Sequence, residues 1–234
     1  MLTGRSRAHI VDLDPPRCSV HQKVAEPLLA MRAAAARHGI DLVPTSAFRD
    51  FDRQLAIWNG KCRGERELRD AEGQLLDARA LSEDQLVEAI LIWSALPGAS
   101  RHHWGTDMDV IDAAAVPAGY AVQLVQEEYA AGGIFAKLNA WLDENAACYG
   151  FFRPYAVFRG GFRPEPWHLS YAPLADAAQR QFSMELLWQA LEAAPLEAAA
   201  AVRRGLPQIM ERYVRNTDAP PALALGATPV TRLA

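Results

Sequence analysis

Two short stretches of the sequence carry side chains that commonly bind metal ions and transfer protons. The stretch SRHHWGTDMD supplies His102 and Asp109, and the stretch EPWH supplies Glu165 and His168. Two imidazoles and one carboxylate can hold a zinc ion with a fourth position open for water, and the second carboxylate can act as a general base beside it. A structural zinc site more often has four ligands, usually rich in cysteine. These residues therefore indicate a catalytic zinc site.

The spacing in both stretches is compatible with one shared centre. Residues 106–111 combine β-branched and apolar side chains with acidic ones, which predicts a strand from which Asp109 projects. Gly105 permits a turn between this strand and His102. Glu165 and His168 are three residues apart, so a tight turn or a single helical turn brings both side chains to the same place. The two stretches together carry a stronger signal than either one alone.

These stretches resemble the signatures of the zinc D,D-peptidases that act on D-Ala-D-Ala, which comprise VanY-type carboxypeptidases and VanX-type dipeptidases. The family signatures are S-x-x-R with a glutamine downstream, S-x-H-x-x-G-x-x-x-D, and E-x-W-H, and all three occur here in the family's order within roughly residues 40–171. The matching residues are Ser46, Arg49 and Gln54, then Ser100, His102, Gly105 and Asp109, then Glu165, Trp167 and His168.

The resemblance implies a role for each matching residue. His102, Asp109 and His168 would bind Zn²⁺. Glu165 would take a proton and return it to the leaving amine, while Arg49 would face the scissile carbonyl and stabilise its developing negative charge. Trp167 would form a hydrophobic wall, and Ser100 and Gln54 would hydrogen-bond the substrate or the base. The predicted substrate-binding residues are Ser46, Gln54, Ser100, Tyr155 and Trp167.

Three features of the predicted site stay open at the level of sequence. Position 107 is usually a small residue in this family, whereas Asp107 adds a carboxylate on the same strand face as Asp109. His103 could be a wall of the pocket or could support a metal ligand. A carboxypeptidase also needs a group for the terminal carboxylate of its substrate, and the stretch before Glu165 offers four candidates: Arg153, Tyr155, Arg159 and Arg163.

Three functions are compatible with these residues. The first is a zinc D,D-carboxypeptidase that trims D-Ala from peptidoglycan stem peptides, which the EPWHLSY stretch favours by its likeness to VanY. The second is a related peptidase, either a dipeptidase for free D-Ala-D-Ala or an endopeptidase that cuts within the stem. The third is a non-catalytic zinc-binding module of the same fold, as in Hedgehog-type signalling domains, and the presence of Glu165 and Arg49 argues against it.

Composition limits the classes of binding partner and the cellular location that we expect for this protein. The net charge of −4 provides no basic surface, so nucleic acid is not expected as a partner. Cys18, Cys62 and Cys148 form no C-x-x-C pattern, which argues against a disulfide framework but leaves a single Cys62–Cys148 bridge open. We find neither an apolar leader nor an apolar run of about 18 residues. A cytoplasmic location without a membrane segment is therefore expected, unless a leader has been removed, and the oligomeric state stays open.

The pattern of elements predicts an α+β fold with a small, mostly antiparallel sheet that carries the zinc site and is flanked by helices, as in Hedgehog and D,D-peptidase domains. We expect one domain over residues 1–216, with a catalytic core at about 40–171, C-terminal helices at 174–216 and a flexible tail at 217–234.

Several local predictions concern the connections around the site. Residues 1–20 are expected to be an extended lead-in, and residues 60–80 an irregular, solvated surface segment. Residues 120–131 are predicted to be helical. A hairpin with its turn at Gly160 and Gly161 is predicted to deliver Glu165 and His168.

Overall fold

The structure is a computed structural model that describes residues 1–220. Its strands are β1 (Ile10–Leu13), β2 (Cys18–His21), β3 (Leu42–Ser46), β4 (Leu68–Arg69), β5 (Leu75–Leu76), β6 (Asp107–Asp112), β7 (Phe151–Phe152) and β8 (His168–Tyr171). Its α-helices are α1 (Ala25–Arg37), α2 (Phe51–Cys62), α3 (Glu83–Leu91), α4 (Gln126–Tyr129), α5 (Ala136–Asn145), α6 (Ala172–Gln181), α7 (Met184–Glu192) and α8 (Ala199–Ile209). Short 3₁₀ or π segments lie at Ala78–Ala80, Arg101–Trp104, Ala113–Ala115, Ala146–Tyr149 and Met210–Val214.

The central sheet has four antiparallel strands in the order β3-β6-β8-β7. All six residues of β6 are buried, so this strand lies in the interior with neighbours on both sides. Asp109 in β6 is paired with Ser46 in β3 and with His168 in β8. The α+β prediction with a small antiparallel sheet is confirmed, and the register brings one histidine and one aspartate of the site side by side.

Two apolar clusters pack against the sheet and the helices. One joins the sheet to α1 and α5 through residues such as Met31, Val110 and Leu138. The other joins α2, α3 and the helices after Tyr171, with Trp58 as one of its fully buried members. The elements that carry the predicted zinc ligands pack into both clusters, since Met108 belongs to the first and Trp104 to the second.

The predicted lead-in at residues 1–20 is instead partly a hairpin, since β1 pairs with β2. The hairpin packs on the turn before β6: the amide of His21 donates to the carbonyl of Gly105 at 2.8 Å. Gly105 has a φ of +69°, and a Cβ there would lie 2.8 Å from the backbone nitrogen of His21 and would also contact Ile10 Cδ1. Glycine is therefore required at this close approach, and residues 1–20 contain no alternating pattern long enough to predict the hairpin.

The connections differ from prediction in three places. Residues 60–80 lie mostly at the surface as predicted, but they contain the β4-β5 hairpin and are not irregular throughout. Within 120–131 only Gln126–Tyr129 is helical, because the segment before it is held by bonds from Gln123 and Tyr120 to the carboxylate of Glu128. The strands β7 and β8 pair as predicted for a hairpin, but a long loop rather than a tight turn joins them.

The predicted tail at 217–234 lies mainly outside the described residues. Within its described part, the Asp218 carboxylate accepts bonds from the amide of Ala156 at 2.8 Å and from Arg159 at 2.6 Å. Among residues 1–220, no helix is both long and apolar enough to cross a membrane.

Candidate metal-binding active site

The structure brings His102, Asp109 and His168 together at one buried point. One ligand atom from each lies within 4.8 Å of the others. His102 Nε2 is 3.4 Å from Asp109 Oδ2, and His168 Nδ1 is 3.2 Å from Asp109 Oδ1. The three come from the 3₁₀ turn at Arg101–Trp104, from β6 and from the start of β8. Residues far apart in sequence thus converge as the motif spacing predicts.

A hydrogen-bond acceptor behind each imidazole ring determines which of its nitrogens faces the cluster. His102 Nδ1 lies 2.9 Å from the carbonyl of Ala47, which leaves Nε2 directed at Asp109. His168 Nε2 lies 3.0 Å from Asp107 Oδ1, and its Nδ1 faces Asp109 and Glu165. The Ala47 carbonyl and the Asp107 carboxylate can only accept, so each imidazole carries a proton on its outer nitrogen. The inner nitrogen of each ring faces the cluster and is the atom that a metal ion would bind.

Asp109 provides the observation that tests whether the site fits a metal ion. Its Oδ1 is buried and accepts no hydrogen bond from any described residue. Burying an unsatisfied carboxylate oxygen is costly unless a cation or a donor compensates it. Two nitrogen donors and one carboxylate match the ligands of a zinc site with an open position. The residues present therefore fit such an ion.

Two of the three groups have the protonation state that metal binding requires. Burial lowers the pKa of His102 to about 3, so its imidazole is neutral at physiological pH. Burial alone would raise the pKa of Asp109, but the neighbouring His102 and His168 bring it down to about 2, so this carboxylate is ionised. Burial lowers the pKa of His168, but the carboxylates of Asp107, Asp109 and Glu165 raise it well above its ordinary value, so a metal ion would displace the proton from its inner nitrogen.

Asp107 is the centre of a buried polar network behind His168. Its carboxylate is fully buried and accepts from Arg101 Nε at 2.7 Å, Thr106 Oγ1 at 2.6 Å, Ser170 Oγ at 3.0 Å and His168 Nε2 at 3.0 Å. Although burial opposes ionisation, Arg101 and His168 hold the pKa of Asp107 well below its usual range. The open question about position 107 is thereby answered: this carboxylate contacts a metal-site histidine from behind and does not enter the cleft.

Glu165 stands beside the cluster, with its Oε2 3.3 Å from His168 Nδ1. Burial raises the pKa of its carboxyl group above the ordinary value, against the lowering effects of His168 and Arg49. A raised pKa brings a carboxylate closer to the value that suits a proton carrier. Its position and environment are those expected of the predicted base.

Arg49 faces the same centre from the other side and is held by its own motif. Its guanidinium donates to Gln54 Oε1 at 2.7 Å and to Ser46 Oγ at 2.8 Å. Its backbone amide donates to the carbonyl of His102 at 3.2 Å, which joins the backbone of Arg49 to that of a metal-site residue. His103 accepts at Nε2 from the amide of Gly98 and contacts the Arg49 carbonyl through Nδ1 at 2.6 Å. His103 therefore supports the backbone of Arg49 and is neither ligand nor cleft wall.

A cleft of about 850 Å³ opens over the cluster. Of the predicted substrate-binding residues, Ser100, Tyr155 and Trp167 line it. Gln54 and Ser46 do not: Gln54 is fully buried, and its amide is used by Arg49 and by the Ala95 carbonyl, 2.8 Å away. Both residues accept hydrogen bonds from the guanidinium of Arg49, so this geometry favours a role in orienting Arg49, and their contact with the substrate stays a prediction.

The four residues predicted as candidates to bind the terminal carboxylate of the substrate differ in their contacts and in whether they line the cleft. Arg153 donates to Asn139 at 2.7 Å and to the Pro166 carbonyl at 2.8 Å, away from the cleft, and Arg159 pairs with Asp218. Only Tyr155 and Arg163 line the cleft, and Arg163 is engaged with the Ala71 carbonyl.

Sequence reasoning missed three cleft or network residues. Arg101 and Ser170 lie next to motif residues, and only the three-dimensional pairing shows that both bind Asp107. Lys61 lines the cleft from the last turn of α2. It belongs to a charged run whose interleaved signs favoured a solvated face, and the one available signal was its spacing of seven residues from Gln54, which places both on the same helix face.

Comparison with known proteins agrees with this geometry. The sequence profile of the VanY family, described as D-alanyl-D-alanine carboxypeptidase, matches residues 17–174. A protein of Haemophilus influenzae without a described function is 39% identical over 121 residues, which are 51% of this chain and 92% of that protein.

Two solved structures share the fold. VanYB in complex with D-alanine-D-alanine superposes with a TM-score of 0.52 at 21% identity, covering 75% of this chain and 83% of that one. A mutant of the vancomycin-resistance D,D-pentapeptidase VanY in complex with Zn(II) gives a TM-score of 0.50 at 20% identity, covering 84% and 92%. With the profile matching two thirds of the sequence around an assembled His-Asp-His cluster, the chain belongs to the VanY D-alanyl-D-alanine carboxypeptidase family.

Proposed function

We propose that this protein is a zinc-dependent D,D-carboxypeptidase that hydrolyses the terminal D-Ala-D-Ala amide of peptidoglycan stem peptides. The observation that carries the proposal is the convergence of His102, Asp109 and His168 with Glu165 beside them and Arg49 opposite, at the base of one cleft. A VanY of the same fold was solved with Zn(II), which supports zinc as the ion.

The residues would divide the chemistry between them. His102, Asp109 and His168 would hold the ion, which when bound supplies Lewis acidity and lowers the pKa of a water ligand from about 15.7 toward 7. Glu165 would accept a proton from the attacking water and return it to the leaving amine, for which its raised pKa is suited.

Arg49 would stabilise the negative charge that develops on the carbonyl oxygen. Its guanidinium is held in place by Ser46 and Gln54, so it need not reorganise when the charge appears. Preorganised donors of this kind typically contribute about 3–4 kcal/mol to the transition state. A binding module would need neither this cation nor the adjacent carboxylate, which favours an enzyme.

The size of the cleft favours stem peptides over the free dipeptide. Its volume of about 850 Å³ lies in the upper part of the range of about 300–1,000 Å³ that is usual for ligand pockets. A dedicated dipeptidase needs room for only two alanine residues, whereas a carboxypeptidase must also accommodate the residues before the scissile amide.

The test is product analysis by mass spectrometry after incubation of the zinc-loaded protein with three substrates. These are D-Ala-D-Ala, UDP-MurNAc-pentapeptide and intact cross-linked muropeptides. We expect release of one D-alanine from the pentapeptide, and no release by a zinc-loaded Glu165→Ala control.

The other outcomes separate the remaining functions. Cleavage of the free dipeptide alone would make the protein a dipeptidase, and cuts inside the muropeptide stem would make it an endopeptidase. Tight zinc binding without cleavage of any of the three substrates would identify a binding module and overturn the proposal.

A further inference from the structure

The cationic side chains of the cleft differ in whether protein groups already pair with their charge. Five of them line the cleft: Arg49, Lys61, Arg69, Arg101 and Arg163. Arg101 forms a buried ion pair with Asp107, and Arg69 pairs with Glu67 at 2.7 Å. Arg163 also has no carboxylate partner among residues 1–220, but two of its guanidinium nitrogens donate to the Ala71 carbonyl and the group lies over the ring of Phe158, which hold it away from a ligand. The proposed function assigns Arg49 to the scissile carbonyl. Lys61 is therefore the cleft cation best placed to bind a second anionic group of the substrate.

Lys61 is a half-buried ammonium without an anionic partner among the described residues. Its Nζ donates to Ser94 Oγ at 2.7 Å, and no carboxylate of residues 1–220 forms an ion pair with it. Burial is the largest effect on its pKa, which falls to about 8, and the charges of Arg66, Glu165 and Arg49 also reach it. Lys61 lines the same cleft as Arg49 and Glu165.

The fold connects Lys61 to the reacting centre through α2. Gln54 and Lys61 are seven residues apart in this helix, so both project from one face about 10 Å apart along its axis. Gln54 holds Arg49 and also binds the Ala95 carbonyl, next to the Ser94 hydroxyl that receives Lys61. One helix face and one short segment thus position both Gln54, which holds Arg49, and Lys61.

We propose that Lys61, together with Ser94, binds the terminal carboxylate of the peptide substrate. This inference rests on the proposed function and names the subsite that would make the enzyme a carboxypeptidase. A buried cation is costly without a counter-charge, and a substrate carboxylate provides one. The Ser94 hydroxyl adds a second donor, and a long flexible lysine reaches a carboxylate as a compact point charge.

The test compares two forms of one peptide substrate that differ only at the C-terminus. Kinetics are measured on diacetyl-L-lysyl-D-alanyl-D-alanine as the free acid and as the C-terminal amide, with zinc-loaded wild type and Lys61→Met. We expect Lys61→Met to lower kcat/KM for the acid about 10- to 100-fold, mainly through KM, because a charge-assisted hydrogen bond is lost. The kcat/KM for the amide should stay within about twofold.

Matched variants keep the test specific. Lys23→Met removes an exposed lysine elsewhere and should leave the ratio of acid to amide unchanged. Lys61→Arg preserves the charge and should retain most of that ratio. If Lys61→Met does not fold, as judged by melting temperature and zinc content, Ser94→Ala serves in its place and should lower the same ratio by a smaller factor.

Each result decides between the possibilities. A ratio of acid to amide that is unchanged in a folded, zinc-loaded Lys61→Met, or a wild type indifferent to the C-terminus, overturns the subsite while leaving the proposed function intact. A wild type that cleaves neither peptide nor the pentapeptide overturns the proposed function, and the subsite with it.

Discussion

The two walls of the cleft are built from different kinds of structure. The wall that carries the metal ligands belongs to the central sheet, where all six residues of β6 are buried and Asp107 accepts four hydrogen bonds. The opposite wall is made by the end of α2, the Ser94–Ala95 segment and the two-residue strands of the β4-β5 hairpin. There Lys61 has a single hydrogen bond, and Glu67 and Glu72 are exposed.

The difference separates two tasks. Ligands to a metal ion must be held within a few tenths of an ångström, and a sheet interior with satisfied polar groups provides that rigidity. A wall that selects a substrate can use longer side chains and local hairpins, which accept changes in sequence more easily. Changes on the sheet side should therefore affect metal binding and kcat, whereas changes on the helix side should affect KM and the choice of substrate.

The largest effect should follow loss of a metal ligand. His102→Ala, Asp109→Ala and His168→Ala are each expected to lower zinc content sharply and to abolish hydrolysis, because each removes one of three converging ligand atoms. Zinc content is measured by plasma mass spectrometry after dialysis. His103→Ala is the matched control and should retain zinc, since both its ring nitrogens are used by backbone groups. Full zinc occupancy in His102→Ala would refute this ligand set.

Glu165→Ala should keep the metal and lose activity by about 10²–10⁴-fold, the usual contribution of a positioned acid or base. The side chain lies beside the cluster but leaves the three ligand atoms in place. Zinc content and single-turnover rates measured on the same sample separate the two effects. Near-normal turnover with zinc bound would remove Glu165 from the mechanism.

The sheet wall could be largely predicted from the sequence, and the helix wall could not. The motif spacings identified His102, Asp109, Glu165 and His168, because metal ligands need specific residue types at nearly fixed separations. Lys61 carries no such constraint: a lysine in a charged run is usually solvated, and only the packing of α2 against the Ser94–Ala95 segment turns it into the cleft.

The same limit applies to the role of hydrogen-bonded partners. Gln54 was predicted to meet the substrate, since sequence shows that an amide is present but not which groups it bonds. Its full burial between Arg49 and the Ala95 carbonyl is a property of the folded chain. Likewise, Asp107 could be placed on the face of Asp109 by strand alternation, whereas its bond to His168 depends on the pairing of β6 with β8.

Arg49→Ala should cut kcat by about 10²–10³-fold, as removal of one oxyanion donor does. Zinc content should stay close to wild type, because the guanidinium is bonded to Ser46 and Gln54 rather than to the ligands. Arg49→Lys should not rescue fully, since it loses the planar fork that meets both partners. A raised KM with intact kcat would instead assign Arg49 to uniform substrate binding.

Asp107→Ala should weaken zinc binding about 10- to 100-fold, the usual cost of losing a carboxylate behind a metal-bound histidine. It should also cost about 3–5 kcal/mol of stability, because Arg101 is left buried without its partner. Zinc affinity is measured by competition with a chelator, and stability by urea denaturation. The double variant Arg101→Leu/Asp107→Ala should recover stability without recovering affinity. Unchanged affinity in Asp107→Ala would show that the network only packs the sheet.

The smallest effect concerns pH and tests the helix wall. Burial, with smaller contributions from Arg66 and Arg49 and against the raising effect of Glu165, lowers the pKa of Lys61 to about 8. Lys61 is therefore charged below about pH 8 and loses its charge above it, so attraction for a substrate carboxylate should disappear as pH rises.

For the free-acid peptide, kcat/KM should fall above pH 8 by up to about tenfold per pH unit. The C-terminal amide should lack this additional decline. Titration of Glu165 and of the metal site affects both peptides, so it cancels in the ratio of their kcat/KM values. Lys61→Arg stays charged throughout, so its acid and amide profiles should be parallel. Parallel profiles in the wild type would show that the charge on Lys61 plays no part in substrate binding.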